Sequence, residues 1–154
     1  MKLEVISISN KSSKWESETL NFYLKQISSE VNIAIEDIKP AKGKNLNIRE
    51  VQANEEKKIL NKIKPDSLII SFDRKGKQID SFQFANFTQS LLSLGKHCYL
   101  IIGGSHGLSD AFLKNSDHVI SFSALTFPHK LFKILVVEQL YRSISIIKNK
   151  PYHK

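Results

Sequence analysis

The sequence is poor in cysteine and in long apolar runs. Its one cysteine, Cys98, cannot close a disulfide within the chain, and nothing in the composition indicates an oxidising compartment. No uninterrupted apolar stretch approaches the roughly 20 residues that a transmembrane helix needs. Near the start, Glu4 stands where a signal peptide would have its apolar run. These absences predict a soluble, cytoplasmic protein that makes no membrane contact.

Acidic residues are scarce relative to basic ones. The chain has 23 lysines and arginines against 15 acidic residues, which gives a formal net charge of +8. Such an excess favours a polyanionic partner such as nucleic acid, because phosphates attract it and counterions are released on binding. A basic surface without a partner is the alternative. Hydrophobic residues make up 41% of the 154 positions, which predicts a single folded domain over residues 1–154.

Strand-like and helix-like patterns alternate along the chain. Apolar alternation or continuous apolar runs predict strands over residues 3–8, 31–38, 67–72, 97–102 and 118–122. Helical periodicity and capping signals predict helices from Ser12 or Ser13 to residue 27, and over 48–63, 81–94, 108–115 and 128–147. Residues 73–77 are predicted to form a charged turn. The alternation predicts an α/β domain with a mainly parallel sheet flanked by helices.

The final predicted helix is apolar around most of its circumference. Its apolar residues are Leu131, Phe132, Ile134, Leu135, Val136, Val137, Leu140, Tyr141 and Ile144. A helix with this pattern is buried on more than one side. In so short a chain, the pattern favours a homodimer that covers one of those sides. The alternative is a central helix within a monomer.

Residues 103–107 lie between a predicted strand and a predicted helix. Gly103 and Gly104 would let the backbone approach a ligand closely, and a helix N-terminus favours a bound anion. The segment also fits the pattern G-x-S-x-G, which makes Ser105 a candidate hydrolase nucleophile. Its potential triad partners are Asp110 or Asp117 and His118 or His129. Taken alone, the segment is most typical of a plain turn.

Two later segments have residue types that suit a nucleotide-like ligand. Residues 121–129 mix small, hydroxyl-bearing and apolar residues, so this loop can surround an uncharged ring; a simple helix entry is the alternative. Residues 149–154 carry two lysines, a tyrosine that can stack on a base and a histidine that titrates near neutral pH. Terminal tails are usually frayed. Glu138 and Arg142 share one helix face, as an ordinary surface ion pair would.

A metal site or a Rossmann dinucleotide site is not expected. The five histidines show no zinc-type spacing, and Cys98 lies in a predicted core strand. The pattern G-x-G-x-x-G is absent from the chain. The histidines are His97, His106, His118, His129 and His153.

Several motifs of the last third resemble those of the ribosomal RNA large-subunit methyltransferase H family. In order and with matching spacing, they are GGSHGL at 103–108, FSALTFPH at 122–129, Tyr141-Arg142 and the closing Tyr152-His153-Lys154. The segment DRKGK at 73–77, followed by Ser81 and Phe84-Ala85, is also similar to the family pattern. The resemblance covers the whole chain. Two departures, Glu56 and Phe82, are expected to lie outside the site.

This resemblance implies a SPOUT-type α/β fold with a C-terminal trefoil knot, and a homodimer. It implies methylation of N3 of a pseudouridine in 23S ribosomal RNA of the large subunit, with S-adenosyl-L-methionine (SAM) as the methyl donor. The SAM pocket would comprise Phe72, Gly103, Gly104, Phe122, Ser123, Ala124, Leu125, Thr126 and Phe127. The tail of a neighbouring subunit would complete that pocket.

The catalytic hypothesis involves three residues near the end of the chain. His153 is the candidate proton acceptor, Tyr152 would stack on or orient the base, and Arg142 would hold a phosphate or the base. His129 is the reserve proton acceptor. Candidate RNA contacts are residues 39–44, Arg74, Lys75, Lys77 and the tail. The competing functions are a non-catalytic RNA-binding module and a serine hydrolase that uses Ser105.

Overall fold

The computed structural model describes residues 2–153. Five strands are present: β1 Leu3–Ile8, β2 Ile33–Ile38, β3 Leu68–Gln78, β4 Cys98–Ile102 and β5 His118–Ser121. Five α-helices alternate with them: α1 Lys14–Ile27, α2 Ile48–Leu60, α3 Ser81–Leu94, α4 Asp110–Lys114 and α5 His129–Ile147. A short 3-10 helix, Pro151–His153, follows. The predicted order of elements is confirmed, with ends that differ by at most three residues except at β3.

The strands form one sheet in the order β2-β1-β4-β3-β5, and every pairing in it is parallel. Successive side chains of a strand point to opposite faces. Val5 therefore joins the core beneath α1, α3 and α5, whereas Ile6 joins the core beneath α2 and α4. The predicted α/β fold with a parallel sheet and flanking helices is thus confirmed. The trefoil knot stays a prediction.

Burial explains why the central strands lack polar alternation. All five residues of β4 are buried, and β4 lies between β1 and β3. A parallel strand covered by helices on both faces needs apolar residues at every position. The continuous run from Cys98 to Ile102 meets that need.

The prediction that β3 ends before a charged turn at 73–77 is wrong. The strand β3 continues to Gln78, but its pairing with β5 shifts, since Phe72 and Lys77 both lie opposite Ile120. The residues between them bulge out of the sheet. At Gly76, a Cβ atom would lie 2.7 Å from the backbone of Val119 and Ile120. The bulge therefore returns to the sheet only where a side chain is missing.

The helix α5 packs on α1, α3 and β1 within the same chain. Of its apolar side chains, Leu131 is exposed, at 40% of its full accessibility. The apolar circumference is therefore explained inside one chain, as the monomer alternative requires. The homodimer inferred from that pattern stays a prediction.

Candidate functional site

A cavity of about 830 Å³ lies at the carboxyl ends of β4 and β5 and at the bulge of β3. Its wall is formed by residues 72–75, 102–108, most of 120–129, Gln52 and Phe132. The carboxyl edge of a parallel sheet is where ligands of open α/β folds usually bind, because the connecting loops converge there. This cavity is therefore the candidate ligand site.

One side of the cavity is a cluster of phenylalanine rings. The ring of Phe122 lies 5.0 Å from that of Phe72 and 5.6 Å from that of Phe132, centroid to centroid. Phe127 and Phe132 are stacked at 6.4 Å. These rings come from β3, from the loop after β5 and from α5, so the fold alone brings them together. An aromatic wall of this kind suits a flat, uncharged ring of a ligand.

The glycines of the loop after β4 are needed for packing. A Cβ atom on Gly104 would lie 2.8 Å from Cγ2 of Ile8 and 3.1 Å from Oε2 of Glu55. A Cβ atom on Gly103 would lie 3.0 Å from the backbone of Gly107, which itself has a φ of +68°. Both missing side chains thus face protein atoms. The glycines let the loop fold back on β1 and α2, and they present only backbone to the cavity.

Helix α2 supports this loop with side chains that the sequence analysis did not place in the site. The Nε2 atom of Gln52 donates to the carbonyl of His106 at 2.9 Å. The carboxylate of Glu56 accepts from the backbone N–H of Ser109 at 2.6 Å and from its hydroxyl at 2.9 Å. Glu56 does not itself line the cavity, and it supports the loop from outside the wall. Gln52 and Glu56 are four residues apart and so share one helix face. This spacing is the feature of the sequence that could have indicated their common role.

The charged groups at the cavity come from the bulge of β3. The carboxylate of Asp73 accepts from the backbone N–H of Lys75 at 2.8 Å, and Nζ of Lys75 lies 3.0 Å from Oδ1 of Asp110. Arg74 also lines the cavity, and within residues 2–153 it forms no ion pair. The predicted RNA contacts Arg74 and Lys75 thus lie at the mouth of the cavity.

The structure brings together most of the predicted cofactor residues. Eight of the nine line the cavity, and Ala124 lies in the same loop but outside the wall. The loop is shaped by Ser123, whose hydroxyl oxygen accepts from the backbone N–H of Leu125 at 2.9 Å. Leu125 is 71% exposed. The eight are Phe72, Gly103, Gly104, Phe122, Ser123, Leu125, Thr126 and Phe127.

The predicted catalytic residues form a second group, the tail cluster, which comprises Glu138, Arg142, Tyr152 and His153. One carboxylate oxygen of Glu138, Oε1, accepts from Nε and Nη2 of Arg142 at 3.1 and 2.6 Å and from the hydroxyl of Tyr152 at 3.1 Å. The guanidinium of Arg142 lies 5.0 Å above the ring of Tyr152. The pair Glu138–Arg142 is thus part of a network with the tail, and the surface-pair interpretation is wrong.

Burial, the hydroxyl of Tyr23 and the carboxylate of Glu138 raise the pKa of Tyr152 far above its usual value of 10. Tyr152 therefore stays a neutral phenol that donates to Glu138. The hydrogen bond to Glu138 raises the pKa of Arg142 as well, although burial opposes it. Tyr23 was not predicted, because its contact with the tail depends on how α1 packs beside α5.

His153 is held by its neighbours in the tail. Its Nδ1 atom lies 2.8 Å from the carbonyl oxygen of Lys150. A carbonyl only accepts, so Nδ1 carries a proton and Nε2 is the nitrogen that remains to accept one. The ring also meets the edge of Phe82 at 6.4 Å, and Phe82 is 60% exposed. Phe82 does not line the cavity, and its contact with His153 belongs to the packing of the tail. Lys154 lies outside the described residues.

The cavity and the tail cluster lie at different ends of α5. His129, at the first turn of the helix, lines the cavity, whereas Arg142 follows about thirteen residues later. At 1.5 Å per residue, this is roughly 20 Å along the helix axis. None of Arg142, Tyr152 and His153 lines the cavity, so within one chain the predicted catalytic residues lie outside its wall.

The arrangement around Ser105 does not form a hydrolase triad. Its hydroxyl lies 3.3 Å from Nδ1 of the adjacent His106. Asp110 pairs with Lys75, and Asp117 accepts from the backbone N–H of Ile69 at 2.7 Å. Neither carboxylate orients His106, so the base that a serine nucleophile requires is not held in place.

Two further findings concern metals and membranes. Residues 2–153 contain no group of three or more histidine, cysteine, aspartate or glutamate side chains that could hold a metal ion. In the same part of the chain, no helix has the length and apolar content to cross a membrane.

Comparison with known proteins shows matches over the full length. A family model described as a predicted SPOUT methyltransferase matches residues 1–153. Proteins named ribosomal RNA large subunit methyltransferase H are similar throughout. The one from Acholeplasma laidlawii is 39% identical over 100% of both chains. The one from Caldicellulosiruptor saccharolyticus is 39% identical over 99% of both, and that from Neisseria meningitidis is 33% identical over 100% of this chain and 99% of its own.

Proposed function

The chain belongs to the SPOUT methyltransferases and, among them, to the ribosomal RNA large subunit methyltransferase H family; on that premise we propose that it transfers a methyl group from SAM to N3 of a pseudouridine in 23S ribosomal RNA. The observation that carries the proposal is the cavity at the carboxyl edge of the sheet. Its wall contains eight of the nine residues that the family resemblance assigns to the methyl donor. Residues 1–154 would act as one methyltransferase domain.

The cavity suits SAM in size and chemistry. Its volume of about 830 Å³ lies within the usual range of roughly 300–1,000 Å³ for small-molecule sites. The phenylalanine wall would contact the adenine ring, and the backbone of Gly103, Gly104 and the 122–127 loop would supply hydrogen bonds. When bound, SAM supplies a methyl group on a positively charged sulfur, which a base nitrogen can attack in line.

His153 is the proposed proton acceptor of the reaction. N3 of a uracil-type base carries a weakly acidic proton, which must leave for the nitrogen to become an effective nucleophile. Because the backbone carbonyl of Lys150 accepts from Nδ1 of His153, the ring proton stays on Nδ1. Nε2 is then available to take the proton from N3 of the base. His129, which lines the cavity, is the second candidate for this role.

Arg142 and Tyr152 are proposed to hold the target nucleotide. Glu138 accepts three hydrogen bonds from Arg142 and Tyr152. The positions of both side chains relative to α5 are therefore set before RNA binds. The guanidinium remains charged and retains donors for a phosphate or a base carbonyl. The neutral ring of Tyr152, which packs against Tyr141 and Arg142, would orient the base or stack on it. Positioning of this kind can lower a barrier by up to about 7–11 kcal/mol in favourable cases.

A second copy of the chain is proposed to complete the site. Arg142, Tyr152 and His153 are absent from the cavity wall, so one chain alone does not place the residues that would hold the base against the methyl donor. In a homodimer, the tail of one subunit would reach the cavity of the other. Exposed apolar side chains on neighbouring helices are available for contact: Trp15 and Phe22 of α1, at 52% and 59% exposure, and Leu131 of α5.

The bulge of β3 is the proposed route by which RNA enters. Arg74 and Lys75 lie at the cavity mouth, and Lys77 follows in the same segment. The lysine-bearing loop at 39–44 precedes α2, which supports the cavity loop. These cations would bind phosphates flanking the target base.

The decisive experiment measures transfer of a labelled methyl group from SAM to ribosomes that lack the modification. We expect one methyl group per ribosome, located in 23S RNA. Methylation of N3 blocks the Watson–Crick edge, so reverse transcription of the product should stop at the modified nucleotide. Calorimetric titration with SAM separates the alternatives, because a non-catalytic RNA-binding module would not bind it. Labelling of Ser105 by a fluorophosphonate, with no methyl transfer, would favour the hydrolase.

A further inference from the structure

The tail cluster is connected to α3 by a second set of hydrogen bonds. The Oε2 atom of Glu138 accepts from Nε2 of Gln139 at 2.7 Å. The Oε1 atom of Gln139 accepts from the hydroxyl of Ser81 at 2.8 Å. All three side chains are partly buried. We call these residues the Ser81–Gln139–Glu138 network.

The orientation of the Gln139 amide follows from its partners. A carboxylate only accepts hydrogen bonds, so the NH2 group of Gln139 must face Glu138. The amide carbonyl then faces Ser81, whose hydroxyl donates to it. Glu138 thus excludes the flipped amide, and the hydroxyl of Ser81, which can donate or accept, takes the donor role. Gln139 in turn holds Oε2 of Glu138 in one place.

The position of Ser81 is fixed by the capped first turn of α3. It is the first residue of α3, directly after Asp80, whose carboxylate accepts from the backbone N–H of Gln83 at 2.8 Å while the side chain of Gln83 accepts from the N–H of Asp80. This reciprocal capping fixes the first turn of α3. The next residue, Phe82, contacts the ring of His153. The start of α3 therefore reaches the tail cluster at two points.

We propose that Gln139 and Ser81 are positioning residues for methyl transfer, which act through Glu138 to hold Arg142 and Tyr152 toward the RNA. The proposal rests on the proposed function. Gln139 and Ser81 do not line the cavity, so their loss would leave SAM binding intact. Glu138 without Gln139 would keep its charge and lose its fixed orientation. Arg142 and Tyr152 share one oxygen of that carboxylate, so both would be displaced together.

The test compares Gln139→Met and Ser81→Ala with Ser81→Thr, which keeps the hydroxyl. Ser90→Ala is the matched control, because within residues 2–153 the hydroxyl of Ser90 bonds only to the carbonyl of Phe87 in the same helix. We expect Gln139→Met and Ser81→Ala to slow single-turnover methyl transfer at saturating SAM by roughly ten- to a hundredfold. Ser81→Thr and Ser90→Ala should match the wild type. The dissociation constant for SAM should stay within about twofold in all four.

A double variant tests whether the effect passes through Glu138. If it does, Glu138→Ala combined with Gln139→Met should be no slower than Glu138→Ala alone, because the network is already broken. The proposal would be overturned if the rate losses of the two single variants multiplied in the double variant. It would also be overturned if Gln139→Met had the wild-type rate. Should Glu138→Ala fail to fold, the comparison of Ser81→Ala with Ser81→Thr decides instead.

Hydrogen exchange gives a readout that does not depend on activity. The backbone amides of Lys150, Tyr152 and His153 should exchange faster in Gln139→Met and Ser81→Ala than in Ser90→Ala or the wild type. Unchanged exchange would contradict the network. A wild-type protein that does not methylate ribosomes would refute the proposed function alone, and the exchange data would still decide whether the network holds the tail.

Discussion

Lys133 of α5 and Asp37 of β2 form a buried ion pair, with Nζ 2.6 Å from Oδ1 and the lysine side chain wholly inaccessible. The same ammonium group lies 3.0 Å from the hydroxyl of Ser12 and 3.5 Å from Glu16 of α1. The pair joins the edge of the sheet to the helix whose first turns line the cavity. Phe132, the neighbour of Lys133, belongs to the cavity wall.

Replacing Lys133 should destabilise the fold. In Lys133→Met, the carboxylate of Asp37 loses its ion pair and Glu16 is left with Lys130. Breaking such a buried pair typically costs about 3–5 kcal/mol. Urea unfolding followed by circular dichroism measures the change. Lys130→Met is the control: Lys130 also contacts Glu16, at 3.3 Å, but is 37% exposed, so we expect a loss of about 1 kcal/mol or less. Equal losses in the two variants would contradict a special role of the buried pair.

Stability should fall at acid pH because of Glu16. Burial tends to raise the pKa of this carboxyl, but hydrogen bonds from the backbone and hydroxyl of Ser13, with Lys130 and Lys133, lower it to about 2 from 4.5. A carboxyl with a lowered pKa stabilises the fold while it is ionised. Its contribution is present above about pH 4.5 and is lost as the pH falls toward 2. In Glu16→Gln, the unfolding free energy should be lower at pH 7 and fall less between pH 5 and pH 2. An unchanged slope would contradict this assignment.

His153→Ala should reduce methyl transfer strongly without weakening SAM binding. The expected loss is about a hundredfold or more, because general-base groups typically contribute about 10²–10⁴-fold. Single-turnover transfer and calorimetric titration with SAM measure the two quantities. His118→Ala is a suitable control, since His118 is exposed and its ring contacts Phe87. If His153→Ala retains the wild-type rate, His129 becomes the candidate proton acceptor.

Two inactive variants should restore activity when mixed, if the site is shared between subunits. Phe127→Asp damages only the cavity, and His153→Ala damages only the tail cluster. Unfolded and refolded together, half of the dimers would be mixed, and one of their two sites would be intact. Activity should then approach about a quarter of the wild-type value. Mixing with no recovery, although gel filtration shows dimers, would place both parts of the site in one subunit.

Gly76→Ala should disrupt the bulge that places Arg74 and Lys75. Its Cβ atom would meet the backbone of Ile120 and Val119 at 2.7 Å, and a rigid backbone clash typically costs about 1–3 kcal/mol. We expect weaker SAM binding in addition, because the same segment lines the cavity. Gly43→Ala is the matched control, since the three atoms nearest to its Cβ belong to the flexible side chain of Leu46, the first at 2.9 Å. Equal stability of the two variants would contradict this account.

The elements of the fold were predictable because each one carries its own local signal. The apolar run of β4 and the capping residue before α3 indicate their elements without reference to the rest of the chain. The bulge in β3 was missed, because the charged residues at 73–75 have the composition of a turn. Only the position of β5 shows that the strand resumes at Lys77.

The candidate site was predictable from residue types and from family resemblance, but its supporting contacts were not. Gln52 and Glu56 have the composition of an ordinary helix surface, and their role appears only when α2 packs beside the loop after β4. Phe82 is similar: nothing near it in sequence points to His153. The apolar pattern of α5 suggested a second subunit, although α1 and α3 account for it.

By itself, the sequence determined the alternation of strands and helices, the excess of positive charge and the residue types available to bind a nucleotide-like ligand, because these depend on neighbours along the chain. Only the tertiary structure decided that the cavity and the tail cluster lie at different ends of α5. It also decided that the carboxylate of Glu138 accepts hydrogen bonds from Arg142, Tyr152 and Gln139. Such relationships join residues that are distant in sequence, so they exist only after the sheet and its helices have packed.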